Sequence, residues 1–100
     1  MKVKNINGTS DGTCQCGSWL DHWKKFSGQK LPTYCAKYIC PNKPEVGAHV
    51  QKDNSTDTSW YIVPLCKTHN AETGKSVIIN DLVKLVPADV GETCGKKDQD

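Results

Sequence analysis

The sequence predicts a small α+β domain: a β-hairpin leading into a short helix, with an amphipathic helix added on the N-terminal side, held together by a staple rather than by a large core. Three observations predict it. Val46-Gly47-Ala48-His49-Val50-Gln51 alternates, with Val46, Ala48 and Val50 on one face and Gly47, His49 and Gln51 on the other, and after a polar turn comes the apolar, β-prone run Trp60-Tyr61-Ile62-Val63-Pro64-Leu65. Directly after that run, Cys66-Lys67-Thr68-His69 has the two-residue gap that suits two ligands on the first turn of a helix closed by Gly74. Finally, only 36% of the 100 residues are hydrophobic, below the usual share of about 45–50%, while six cysteines and three histidines are present. A chain this small and polar buries a modest core and needs help to fold.

The added helix is read from Ser18-Trp19-Leu20-Asp21-His22-Trp23-Lys24-Lys25-Phe26. Ser18 with Asp21 three residues on resembles a capping box. Trp19, Trp23 and Phe26 fall at i, i+4 and i+7 and form one apolar stripe for the core, and Gly28 supplies a left-handed stop. His22 lies just off the stripe, as a surface or partly buried structural residue. Pro64 sets the second hairpin strand at an edge or at a strand end. Residues 76–86 are rich in Val, Ile and Leu and read as two short strands or a strand and a helical turn. Residues 1–13 are polar and read as a flexible arm, 14–94 as one domain, and 95–100 as a frayed tail. There is no internal repeat and no dividing linker.

Six cysteines in a short chain signal either a disulfide framework or metal and reactive thiols. Met1-Lys2-Val3-Lys4-Asn5 is basic and has no apolar stretch behind it, so it does not read as a signal peptide, and the expectation is a cytoplasmic protein without a membrane span. His49 and His69 sit among the cysteines. A disulfide gains nothing from imidazole, whereas zinc accepts thiolate and imidazole in one tetrahedral shell. Zinc is therefore the expected staple, with disulfides or packed free thiols as the alternatives. Cys14 and Cys16 are one residue apart, Cys35 and Cys40 four, Cys66 and His69 two, and Cys94 stands alone. A four-ligand site needs two such pairs brought together.

In order, the chain runs cysteine pair, strand with His49, loop, strand, and Cys66-x-x-His69 opening a helix. Over residues 35–73 this resembles the treble-clef arrangement and, more narrowly, the HNH or ββα-metal nuclease superfamily, through Cys35, Cys40, Val46-Gly47-Ala48-His49-Val50 and Ile62-Val63-Pro64-Leu65-Cys66-Lys67-Thr68-His69-Asn70. The resemblance implies that Cys35 and Cys40 form the zinc knuckle and that Cys66 and His69 close a structural Cys3His site, with His69 in place of the usual second cysteine. Cys14 and Cys16 are the competing knuckle, and a second metal would draw on Cys14, Cys16, Cys94 or His49. The resemblance also makes His49 the general base for water attack on a phosphodiester and puts Asn70 at a catalytic-metal position, for Mg²⁺ or Mn²⁺.

This chain departs from that catalytic pattern. The Asp that usually precedes the histidine is Ala48, and the central Asn is Tyr61. Asp53, Asn54 or Asp57 would have to compensate. The expectation is a catalytically degenerate module, with an active metal-dependent endonuclease as the alternative.

Charge narrows the partners. All 13 basic residues are lysine, against 11 carboxylates, for a net charge of +2. Residues 1–50 hold seven lysines and three carboxylates; residues 51–100 hold six and eight. Lys24, Lys25, Lys30, Lys37 and Lys43 offer phosphate contacts that are salt-sensitive and blind to base sequence, since the forked arginine contact to guanine is missing. The other expected partner is a protein, met through Trp19, Trp23 and Trp60.

Overall fold

A computed structural model of the protein describes residues 1–6, 18–53, 56–72 and 74–88. The expectations for Cys14, Cys16, Cys94 and the tail at 95–100 lie outside the described residues. Among the described residues five strands form one antiparallel sheet, and two helices pack against it: β1 (Lys2–Asn5), α1 (Trp19–Ser27), β2 (Val46–Lys52), β3 (Tyr61–Leu65), α2 (Lys67–Asn70), β4 (Ser76–Ile78) and β5 (Val86–Pro87), with strand order β4-β1-β2-β3-β5. No helix among the described residues is long and apolar enough to cross a membrane.

The hairpin β2–β3 is the centre of this sheet, in the register Val46↔Leu65 through Val50↔Tyr61. Its alternation separates two cores. Ala48, Val50, Val63 and Leu65 face a cluster with Val3, Val77, Ile79, Cys35, Ala36, Cys40 and Cys66. On the opposite face, Ile62 packs with Trp23 and Val86 beneath α1. Gly47 lies on the helix face, and a Cβ there would sit 2.4 Å from the Trp19 carbonyl carbon. That contact requires glycine, because the backbone at the start of α1 rests directly on the strand. Pro64 is in β3 beyond the two residues paired to β5, so its missing N–H costs no ladder bond. Its carbonyl accepts instead from the Ala36 amide at 2.8 Å.

Two expectations are corrected. The first residues are not a loose arm: Lys2–Asn5 lies between β4 and β2, with Val3 opposite both Lys52 and Val77 and fully buried. A four-residue strand with one strongly apolar side chain gives almost no periodic signal, and it is held by neighbours distant in sequence. The stripe on α1 is also rotated from the one expected. Ser18 caps the helix by accepting the Asp21 amide at 3.1 Å, and Gly28 closes it at φ 70°. His22 and Trp23 are buried, whereas Phe26 is 38% exposed. The cause is polar. The Trp23 Nε1–H donates to the Lys84 carbonyl at 2.8 Å, and His22 Nε2 meets the Pro87 carbonyl at 2.9 Å, where a carbonyl partner makes that nitrogen the donor. Gln29 adds bonds to the Leu82 carbonyl and the Lys84 amide. The segment before β5 therefore draws the His22–Trp23 face inward. Residues 76–86 resolve into β4, a turn, and the approach to β5.

Candidate metal centre

The loop between α1 and β2 brings in the first cysteine pair. The Cys35 amide donates to the Asn42 carbonyl at 2.7 Å and the Cys40 amide to the Lys37 carbonyl at 3.1 Å, so the segment turns back on itself. It is tied to the sheet on both sides. Ala36 bonds Pro64, Tyr38 donates to the Ile78 carbonyl at 2.8 Å, and Lys37 bridges Ile79. The second pair comes from α2, where Cys66 occupies the N-cap position and His69 the single turn that follows. Spacing in the sequence thus becomes one site with a contribution from each side of the hairpin.

The ligand atoms of Cys35, Cys40, Cys66 and His69 all lie within 4.8 Å of one another. His69 Nδ1 is 3.6 Å from Cys35 Sγ, 3.5 Å from Cys40 Sγ and 3.1 Å from Cys66 Sγ. A tetrahedral zinc with Zn–S of about 2.3 Å and Zn–N of about 2.0–2.1 Å separates sulfur from nitrogen by about 3.6 Å. Two of the three separations match it, and the third is shorter. The three thiols are free rather than disulfide-bonded, and all are buried. The group is thus positioned to bind a metal ion through three sulfurs and one imidazole nitrogen.

The electrostatics of the pocket are those of a site that wants a cation. Burial pushes the Cys35 thiol up to about 12, against the pull of hydrogen bonds from the Cys66 and Lys37 backbone. At Cys66 burial also works upward, but bonds from the His69 backbone, the Asn42 side chain and the neighbouring thiols outweigh it, and the thiol lies below its ordinary value. The Cys66 amide reaches Cys35 Sγ at 3.2 Å, and Asn42 Nδ2 reaches Cys66 Sγ at 3.7 Å. These N–H groups point at sulfur and favour thiolate, as the supporting contacts of a metal site do.

Sequence reasoning missed Asn5. Its side chain, fully buried at the end of β1, donates to the His69 carbonyl at 3.0 Å and to the Asn70 carbonyl at 2.8 Å. Its backbone accepts from Gly74 and donates to Lys75. A one-turn helix leaves its last carbonyls without internal partners, and Asn5 supplies two of them. The only available signal was a buried-type position in a polar stretch, which cannot be read without knowing that β1 exists.

His49 and Asn70, the expected catalytic pair, line one cavity of about 370 Å³, together with Ser18, Trp19, Leu20, Glu45, Val46 and Gly47. His49 is 4% exposed; its carbonyl accepts from the Ile6 amide at 3.0 Å, and its ring makes no hydrogen bond among the described residues. Its ring lies edge-on to Trp19 at 4.7 Å and to Trp60 at 6.3 Å. Burial, reinforced by His22, lowers its pKa and keeps it neutral. The groups that were to replace the lost catalytic partners lie elsewhere. Tyr61 pairs across the sheet with Val50, one residue out of phase with His49, and so faces the other core. Asp57 is occupied by the Tyr61 hydroxyl at 2.5 Å and Lys52 at 3.3 Å, and the Tyr61 bond holds its carboxyl well below the usual range. Asp53 accepts from Ser76, and Asn54 is outside the described residues.

Among known proteins, no family model matches the chain, and no solved structure does. A curated relative, Tudor domain-containing protein 1 of Danio rerio, is 38% identical over 48 residues, which is 48% of this chain and 4% of that protein. About half of the chain therefore resembles a short stretch of a far longer polypeptide.

Proposed function

We propose that the protein is a small zinc-binding module of HNH-like, treble-clef design that has lost catalysis and serves as a binding platform. The convergence of Cys35, Cys40, Cys66 and His69 carries this reading. Three buried soft sulfurs and a half-buried imidazole suit Zn²⁺, and four protein ligands leave no open position for a substrate. The order of parts supports the treble-clef description: a cysteine turn, the β2–β3 hairpin, then two ligands at the start of α2. Zinc here stabilises a chain whose own core is thin. The partner is nucleic acid held weakly through lysines, or a protein.

The surroundings of His49 support the loss of catalysis. A general base needs a group that orients its ring and a metal that steadies the leaving oxygen. His49 is wedged against Trp19 without an orienting bond among the described residues, Ala48 offers no ligand, and Tyr61 faces away. The shared cavity of His49 and Asn70 favours the second reading, an active endonuclease dependent on Mg²⁺ or Mn²⁺.

One set of experiments tests both. Metal analysis of purified protein should give one zinc per chain, lost on Cys→Ser replacement at 35, 40 or 66. Retention in all three variants with loss on replacing Cys14 or Cys16 would move the site. Plasmid DNA incubated with protein and Mg²⁺ or Mn²⁺ should stay intact. Cleavage that disappears in His49→Ala would establish the endonuclease instead.

A further inference from the structure

The metal-bearing turn displays an apolar surface that the zinc reading does not use. Lys37 pairs with Ile79 in an antiparallel bridge, which sets Tyr38 opposite Ile78. Opposed residues share a face, and here both point outward, Tyr38 55% and Ile78 57% exposed. The next residue, Ile39, is 82% exposed, and it borders an open groove of about 370 Å³ with Tyr34, Cys40 and Pro41. Ile39 also has φ 59°, and no other non-glycine residue among those described has positive φ. A β-branched side chain in the left-handed region is strained, and glycine would sit there freely. A bulky aliphatic group is thus held out in solvent on a backbone that disfavours it. Such strain persists where a function holds it in place.

Charge indicates what covers the surface. Lys37 and Lys43 lie on this turn, Lys2 lies opposite Ile78 in the β1–β4 ladder, and residues 22–44 carry no Asp or Glu; Lys24 and Lys25 belong to α1 on the other face of the sheet and take no part. Exposed tyrosines beside lysines would also suit a single-stranded nucleic acid. Aliphatic groups decide between the two. Ile39, Ile78 and Pro41 gain from contact with other apolar side chains and offer a base no stacking plane. We propose that the Tyr34–Tyr38–Ile39–Ile78 face docks an acidic peptide segment of a protein partner, its apolar side chains entering the groove and its carboxylates meeting the flanking lysines. This rests on the zinc-held turn, so zinc content is measured on every sample, and loss of the staple is thereby distinguished from loss of docking.

The test uses a random dodecamer peptide library displayed on phage and selected on the zinc-loaded chain. Enriched peptides should combine Asp or Glu with Leu, Ile, Phe or Trp. Synthesised, they should shift the amide NMR signals of residues 34–40 and 78, and should bind more weakly as salt rises from about 50 to about 300 mM. Ile39→Gly, which keeps the backbone conformation and the zinc, should weaken them at least about tenfold, a loss of about 1.4 kcal/mol, and Lys43→Glu should weaken them less. Enrichment without acidic and apolar bias would overturn the proposal. So would equal binding to Ile39→Gly at full zinc content, or displacement of the peptides from those residues by oligo(dT).

Discussion

Asn5 holds His69 from behind: its side-chain amide donates to the His69 and Asn70 carbonyls while the His69 ring turns the other way, toward three sulfurs. The first strand of the sheet therefore fixes the last ligand of the metal site across 64 residues of chain. Removing this amide takes one donor from each of two partly buried carbonyls, while the His69 carbonyl keeps the Glu72 amide at 3.2 Å; losing a buried carbonyl's partner costs about 1–3 kcal/mol. Asn5→Ala should lower unfolding stability by about 2 kcal/mol and zinc affinity by about 10–100-fold, measured by thermal melts and by competition with a chromophoric chelator. Asn5→Asp should fare no better, because a carboxylate has no hydrogen to give.

Zinc binding should depend on pH with a definite sign. The thiols must lose protons to ligate the metal, so affinity rises with pH and is lost in acid. Burial holds the Cys35 proton to about 12, against an ordinary value of 9.0. Proton release should therefore continue above pH 9, where exposed thiols are already ionised. Calorimetric titration in buffers of different ionisation enthalpy counts those protons directly. Chelation at neutral pH should abolish the cooperative melt.

His49 contributes a separate acid sensitivity. Its pKa is lowered in the folded protein by burial and then by His22. The unfolded chain takes up a proton near the ordinary 6.5 while the fold resists, so this contribution is intact above 6.5 and is lost as pH falls through the folded value. His49→Leu should remove that component. At pH 7 it should be neutral or stabilising by up to about 1 kcal/mol, since a buried imidazole without a hydrogen bond among the described residues is replaced by an apolar group. Equilibrium denaturation of both proteins at pH 5 and pH 7.5 reads the difference.

Gly47→Ala should be severe for so small a change. Its Cβ would stand 2.4 Å from the Trp19 carbonyl carbon and 2.6 Å from the Leu20 nitrogen, both backbone atoms that cannot rotate aside. Lifting α1 off β2 should cost about 3 kcal/mol and expose Trp23, with a red shift in tryptophan emission. Zinc stoichiometry should survive, because α1 contributes no ligand.

Ile39→Gly should move stability the other way. The side chain is 82% exposed, so little packing is lost, and the left-handed backbone is relieved. A gain of about 1 kcal/mol is expected by denaturant titration.

The readable part of this chain was its middle. Alternation in Val46–Gln51 assigned Ala48 and Val50 to one core and Gly47 and His49 to the other face, and that is their arrangement. The treble-clef resemblance implied the set Cys35, Cys40, Cys66 and His69, and the structure brings these four ligand atoms together, because two short-range pairs flank the hairpin that unites them. Ser18 and Gly28 marked both ends of α1, since capping is local chemistry. What escaped was decided at long range. Lys2–Asn5 becomes a strand only because β2 and β4 bracket it, and His22 is buried because the Pro87 carbonyl waits for its ring. Likewise, only the cross-strand register sends Tyr61 away from His49.

Because Val3 finds its neighbours at Lys52 and Val77, the opening strand cannot be used when it is made. A nascent polypeptide would leave the ribosome with that segment idle, and the sheet could close only after β4 had emerged. Assembly must therefore be nearly all-or-none and late, governed by the slow meeting of distant segments, with the early hairpin and its thiols waiting on the last part of the domain to arrive.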